Sequence, residues 1–408
     1  MGMVRLPLGV LLVSLFMASC APSTPSSDPT TTPGADAAPG AASPAAEAIA
    51  QTPVTLQQVT LVENLEHPWG IAWLPDGAML VTERPGRLRI IRDGVLDPNP
   101  IPGVAEVLAE RQGGLLDVSV HPQFSENQWV YFTYAHGSPN ANQTRVARAR
   151  FDGTALTDWT VIFEVNRTKE QGQHFGSRLG WLPDGTLLVS IGDGGNPPVS
   201  LDGDLIRNQA QNLGVRLGKV VRLNDDGSIP TDNPFANQDN ADPSVWSYGH
   251  RNIQGLAVDP QTSQVWATEH GARGGDELNL LEVGENYGWP LVTHSREYSG
   301  GEISPDQSRP ELVDPKLVWQ ETTAPSGLMV YRGDRFPRWQ GHLFAGGLVS
   351  QDVHRIEVDA AGTVISQEAI SVEQRVRDVK QGPDGLIYIL TDAPNGRLIR
   401  LEPETPQG

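Results

Sequence analysis

The chain has 408 residues and a formal net charge of −19, from 49 acidic and 30 basic side chains. That balance argues against nucleic acid as a partner, because phosphate binding needs clustered Lys and Arg that release counterions. A single cysteine excludes an internal disulfide, so a secreted domain of this size must be held by its core and by any metal it binds.

In chain order, Arg5 precedes an apolar run from Leu6 to Met17 and then Ala18-Ser19-Cys20. This is the layout of a secretory leader with a small-residue cleavage site. Cys20 stands where a bacterial lipobox carries its acylated cysteine, with Met17 where Leu is more typical. Residues 1–20 are therefore expected to be a lipoprotein signal peptide. The mature protein is expected to be exported and lipid-anchored to the cell envelope, periplasmic or on the outer surface. From Ala21 to Pro53 the chain is almost wholly Ala, Pro, Ser, Thr and Gly and has no aromatic residue. Such a segment buries too little to offset chain entropy and is predicted to be a disordered tether. No other stretch approaches the ~18 apolar residues of a membrane-spanning helix.

Residues 54–408 exceed the usual single-core size, so two domains or a closed repeat are expected. One pattern recurs: a short apolar stretch, a Pro-Asp-Gly or His/Asp-Pro turn, then an aliphatic strand. Its copies are at Trp73 to Gly77, His121-Pro122, Leu182 to Gly185, Asp259-Pro260 and Gly382 to Gly385, with a degenerate sixth starting at Gly341. Pro and Gly supply the φ values that tight turns need, so these are hairpin corners. With 43 Gly and 33 Pro, no apolar pattern of period 3.6 persists, which excludes the eight helices of an α/β barrel. The expected fold is all-β, a six-bladed β-propeller, with its binding site at one mouth of the channel.

The chemistry-bearing residues lie in glycine-rich segments next to these strands. They are Gln112 in Gln112-Gly113-Gly114-Leu115-Leu116, His174 in Gln173-His174-Phe175-Gly176-Ser177-Arg178-Leu179, and Asp193 in Ser190-Ile191-Gly192-Asp193-Gly194-Gly195. Arg251 and Asn252 follow in Tyr248-Gly249-His250-Arg251-Asn252-Ile253-Gln254-Gly255-Leu256. An imidazole beside a carboxylate is a candidate general base, its tautomer set by the acid. A desolvated arginine can stabilise a developing alkoxide. The stretch Glu269 to Glu277, with Gly271 and Ala272, is glycine-spaced and oxygen-rich, as Ca²⁺ requires. Read alone, it fits a turn with solvated acids better than a calcium loop. Arg375 and Arg377 fall on one face of a strand by period-two alternation.

Together and in this order, these segments resemble the soluble quinoprotein sugar dehydrogenases that carry pyrroloquinoline quinone (PQQ), over most of residues 56–401. The resemblance implies that His174 is the general base, assisted by Asp193, and that Arg251 contacts both sugar and quinone. It places Asn252, Thr322, Arg375 and Arg377 on the cofactor and Gln112 on the sugar. It assigns the Gly271 and Ala272 carbonyls to a Ca²⁺ that chelates PQQ, with Ala272 standing where the family's best-known form has proline. Glu277 and Tyr287 match ligands of a further, structural calcium. Val349 departs from the pattern, since the family often carries Lys there. The implied activity is oxidation of an aldose to its lactone, with electrons passed to an external acceptor. A metal-dependent sugar lactonase and a non-enzymatic glycan- or protein-binding propeller are the alternatives. The first would use carboxylate and Asn ligands, and the second would bind without turnover.

Overall fold

The computed structural model describes residues 55–404, residue 198 excepted. The expected leader with Cys20, the tether, and residues 54 and 405–408 lie outside the described residues. No helix among those described is long and apolar enough to cross a membrane.

Every turn signal in the sequence is a hairpin. At Leu74 to Gly77, the Leu74 N–H donates to the Ala78 carbonyl at 2.8 Å and Gly77 adopts φ +87°. That is a left-handed value that glycine reaches without a Cβ penalty. The hairpins at Leu182 to Gly185 and Gly382 to Gly385 repeat it, and the degenerate copy joins Pro325–Val330 to Leu343–Gly347. Each hairpin connects the innermost and second strands of a four-stranded antiparallel sheet, and there are six such sheets.

Blade 1 comprises Pro68–Trp73, Met79–Glu83, Arg87–Arg92 and Val95–Leu96. Blade 2 comprises Leu115–Val120, Trp129–Ser138, Ala141–Phe151 and Leu156–Glu164. Blade 3 comprises Leu179–Trp181, Leu187–Ile191, Lys219–Leu223 and Val245–Tyr248, with a small hairpin, Ser200–Leu201 and Asp204–Leu205, inserted. Blade 4 runs through Ile253–Val258, Val265–Glu269, Asp276–Leu281 and Leu317–Trp319, and blade 5 through Pro325–Val330, Leu343–Gly347, Asp352–Val358 and Val364–Ser371. Blade 6 takes three strands from the C-terminal end, Val376–Gln381, Ile387–Thr391 and Gly396–Pro403. Its fourth, Leu56–Leu65, comes from the beginning of the described chain. This closure joins the first described strand to the last and completes the ring of sheets.

The apolar core is a ring of clusters between neighbouring blades. Leu80 and Phe132 bridge blades 1 and 2, Val146 and Val189 blades 2 and 3, Leu188 and Leu256 blades 3 and 4, and Trp266 and Leu328 blades 4 and 5. Phe344, Ile389 and Val81 join blades 5, 6 and 1. Both faces of these second strands are covered: every residue of Leu187–Ile191 and Ile387–Thr391 is buried, so the segments are largely apolar and do not alternate. Buried hydroxyls add polar stitches. Thr82, Thr133, Ser190 and Thr268, in the second strands of blades 1 to 4, donate to the Leu116, Ser177, Ile253 and Ser326 carbonyls at the next blade, at 2.5 to 3.1 Å.

Arg178 holds the channel. Its guanidinium contacts Asp117 at 3.2 Å and Asp378 at 3.1 Å, and donates to the Gln254 and Arg377 carbonyls at 2.6 and 3.0 Å. One side chain from the edge of blade 3 therefore reaches blades 2, 4 and 6. It also stacks 4.1 Å from the Trp69 ring of blade 1.

Candidate active site

Antiparallel pairing sets the position of the site. The start of each innermost strand lies opposite the end of the second strand, as in Pro68↔Glu83, Ile253↔Glu269 and Val376↔Thr391. Gln112, His174, Arg251, Asn252, Thr322 and Arg375 all precede an innermost strand, and Asp193 and Gly271 follow a second strand. One mouth of the channel thus collects residues that are far apart in the chain.

His174 and Asp193 meet there. The His174 Nδ1–H donates to Asp193 Oδ1 at 2.6 Å, and both side chains are buried. A carboxylate only accepts, so this bond commits the proton to Nδ1 and leaves Nε2 with a lone pair. Asp193 is itself oriented: Trp289 Nε1–H donates to Oδ2 at 2.8 Å and the Gly195 N–H to Oδ1 at 3.0 Å. The His174 backbone has φ 47° and its N–H donates to Gln112 Oε1 at 2.8 Å. A Cβ at Gly192 would collide with the His174 carbonyl, so glycine is required for this close approach. Burial first, and then the Arg251 charge, hold the His174 imidazolium below the usual histidine range, and Asp193 offsets this in part.

Arg251 lies beside the pair. Its guanidinium donates to the His270 and Gly271 carbonyls at 3.0 and 2.5 Å and to Asn196 Oδ1 at 2.6 Å, 5.4 Å from the Trp289 ring centre. Its backbone N–H donates to Glu269 Oε1, and its carbonyl accepts from the Asp193 N–H at 2.7 Å. Asn252 accepts from the Gly176 N–H at 3.0 Å, but its buried Nδ2 has no partner among the described residues. Arg375, just before the strand, and Arg377, at a register shift within it, both donate to Asp392 Oδ2, at 2.9 and 3.0 Å. Burial would raise the Asp392 carboxyl, but Arg377 and then Arg375 outweigh it and hold it well below the usual range. Arg377 also donates to Gln254 Oε1 at 2.7 Å, while its buried Nε is unpartnered. Thr322 Oγ1 accepts from the Gly274 N–H at 3.0 Å, tying it to the loop of Gly271 and Ala272.

Glu277 faces Glu269 across a strand pair, and both line a small cavity with Tyr287, Gly271 and Arg251. Burial, and then Glu269, push the Glu277 carboxyl up to about 8. The Tyr287 hydroxyl donates to the Leu280 carbonyl at 2.8 Å and accepts from the Glu282 N–H at 2.8 Å. With the hydroxyl engaged in both bonds, the backbone carbonyl of Tyr287 is the more available oxygen for a ligand. Among the described residues, no three His, Cys, Asp or Glu side chains converge on a common point. A cation placed at this mouth would need carbonyl oxygens as well as carboxylates.

The sequence reading passed over Trp289, Asn196, Asp392 and Lys169. The Lys169 ammonium is buried, donates to Asn142 Oδ1 at 2.8 Å and the Gln171 carbonyl at 2.9 Å, and lies 4.0 Å from the Phe175 ring centre. Burial pushes it down to about 7, against the pull of Asp193. A repeated signal could have found Asp392, because an acid stands at the end of the second strand or within two residues after it in four blades: Glu83, Asp193, Glu269 and Asp392. No local pattern marks Trp289 or Asn196, which reach the site from long loops.

These features define a β-propeller with a polar, arginine-rich mouth built around an imidazole–carboxylate pair. The chain belongs to the Glucose / Sorbosone dehydrogenase family, whose model matches residues 65–400. It is 62% identical over 356 residues to an uncharacterized protein of Synechocystis sp., covering 85% of this chain and 86% of the relative. It is 38% identical over 362 residues to the aldose sugar dehydrogenase YliI of Escherichia coli, covering 86% and 94%. Among solved structures, the PQQ-bound form of aldose sugar dehydrogenase from Streptomyces coelicolor superimposes with a TM-score of 0.68 at 26% identity, covering 86% of this chain and 99% of that one.

Proposed function

We propose that the protein oxidises the anomeric hydroxyl of an aldose to the lactone with PQQ and Ca²⁺, and passes the electrons to an external acceptor. The family assignment and the PQQ-bound relative support the class of reaction. The observation that carries the finer reading is the 2.6 Å bond between His174 and Asp193 beside the Arg251 guanidinium.

The residues fit the cofactor chemically. Asn252 Nδ2 and Arg377 Nε are buried donors without partners, and Arg375 and Arg377 between them have one carboxylate, Asp392. A tricarboxylate ligand would supply the missing acceptors and negative charge. When bound, PQQ accepts the hydride, and Ca²⁺ makes it more electrophilic. His174 Nε2 takes the hydroxyl proton, with Asp193 stabilising the imidazolium that results. Arg251 stabilises the negative charge that grows on the sugar oxygen. Gln112 holds the His174 backbone in its strained conformation through the 2.8 Å bond. The Gly271 and Ala272 carbonyls are the proposed ligands of the Ca²⁺ at the cofactor, and Glu277 with the Tyr287 carbonyl those of a second.

The decisive experiment adds PQQ and Ca²⁺ to the apo protein and follows sugar-dependent bleaching of a redox dye. Bleaching with at least one aldose is expected, and tight PQQ binding without any turnover would overturn the dehydrogenase reading. The acid limb of the kcat/KM profile should fall below 6.5, the ordinary histidine value, because the buried base stays neutral to lower pH. A limb at or above that value would contradict the assignment of His174. Saturating Ca²⁺ should raise the unfolding free energy of chelator-treated protein by about 2.7 kcal/mol at a hundredfold excess over Kd, seen as a higher unfolding midpoint. Glu277→Gln should abolish much of that gain, and an equal gain in the variant would remove Glu277 from the calcium site.

A further inference from the structure

The mouth carries one more guanidinium. Arg84 follows Glu83 at the end of the second strand of blade 1. Its N–H donates to the His67 carbonyl and its carbonyl accepts from the Leu115 N–H, both at 3.1 Å. His67 in turn contacts Asp392 at 3.2 Å, and Leu115 continues from the Gln112 segment that braces His174. A Cβ at Gly114 would collide with the Arg84 carbonyl, so the backbone here is tightly confined. Arg84 is thus fixed between the Arg375–Arg377–Asp392 cluster and the base.

Its neighbouring acid is already taken. The Glu83 oxygens accept from the Glu66 N–H, Arg87 and Arg89 at 2.7 to 3.2 Å. Among the described residues Arg84 has no side-chain hydrogen bond or ion pair, yet its Nε is buried. The charge of Arg84 also depresses Arg377, after the larger effect of burial, so the two guanidiniums feel each other. Arg375 and Arg377 share a single carboxylate, Asp392, Arg84 has no carboxylate partner among the described residues, and both Arg84 and Arg377 keep an unmet buried donor there. Such an arrangement suits a multiply charged anion with planar carboxylates, which an arginine fork binds in two-point fashion. Val349, on the blade 5 side of the mouth, is 51% exposed and contributes no charge.

We propose that Arg84 is a binding residue for the anionic cofactor, taking one of its carboxylates alongside Arg375 and Arg377 and supplying the positive charge that Val349 does not. This rests on the PQQ reading above. The test titrates PQQ, at fixed Ca²⁺, into the full-length apo protein and reads the quenching of tryptophan fluorescence. Wild type is compared with Arg84→Met, Arg84→Lys, Arg377→Met and Arg148→Met, the last a remote arginine whose Nε is also buried and unpartnered. Arg84→Met should weaken binding by ~10-fold or more with an unchanged unfolding midpoint, reduce the dependence of Kd on salt, and recover in part as Arg84→Lys. Arg148→Met should bind as wild type. Wild-type affinity in Arg84→Met, with Arg377→Met weakened, would overturn the role of Arg84 and leave the PQQ reading standing. A loss in Arg84→Met matched by Arg148→Met would also overturn it, and no PQQ binding by wild type would overturn both.

Discussion

Replacing His174 by Gln leaves PQQ bound and lowers turnover by ~10²-fold or more, the size typical of losing a positioned general base. Glutamine preserves much of the volume and can still donate toward Asp193 Oδ1, the atom that His174 reaches at 2.6 Å. It cannot accept the sugar proton. The donors proposed for the cofactor, on Asn252, Arg375 and Arg377, belong to blades 4 and 6 and should be undisturbed. The measurement pairs a PQQ titration with dye-reduction kinetics at saturating sugar. Turnover within ~10-fold of wild type would show that another group takes the proton. Loss of PQQ binding would instead make His174 part of the cofactor site.

Arg178→Met should be the most destabilising single change in the channel. The side chain is 0% exposed and faces Asp117 and Asp378, both also buried. Methionine fills much of the space but leaves two carboxylates without their cation, and breaking a buried ion pair from one side costs about 3–5 kcal/mol. The pH dependence has a definite sign. Burial already pushes the Asp378 carboxyl up, and Arg178 is the main opposing influence. Without Arg178 the folded state favours the protonated acid more strongly. A group whose folded pKa is raised stabilises the fold below its unfolded value, ~3.9 for aspartate, and that contribution is lost as pH rises through the folded pKa. The deficit of Arg178→Met should therefore be larger at pH 8 than at pH 5, as read from denaturant midpoints at unchanged slope. An equal deficit at both pH values, or one under ~1 kcal/mol at pH 8, would mean that the channel charges are solvated and not a buried network.

Much of the fold was legible because propeller hairpins depend on local turn chemistry. Pro-Asp-Gly at 75–77, 183–185 and 383–385 specifies its turn whatever surrounds it, and each copy marks the junction of an innermost and a second strand. The closure of blade 6 was not legible. Nothing in Leu56–Leu65 names Gly396–Pro403 as its partner, since backbone pairing between distant strands leaves no residue-specific trace.

The site divides along the same line. His174, Asp193, Arg251, Asn252 and the Arg375–Arg377 pair could be picked out because each sits in a short glycine-bearing or alternating segment next to a strand. Those segments, and the resemblance that they carry in this order, identified them as candidates. Their mutual geometry came only from the ring of blades. The tertiary structure paired Arg375 with Arg377 on Asp392, aimed Trp289 at Asp193, set Asn196 on Arg251 and brought the Arg84 charge within electrostatic reach of Arg377. The physical reason is that turns and strands are encoded by neighbours in the chain. Burial, charge pairing and the orphaned donors of a binding mouth depend on which blades face one another, and only the closed ring determines that.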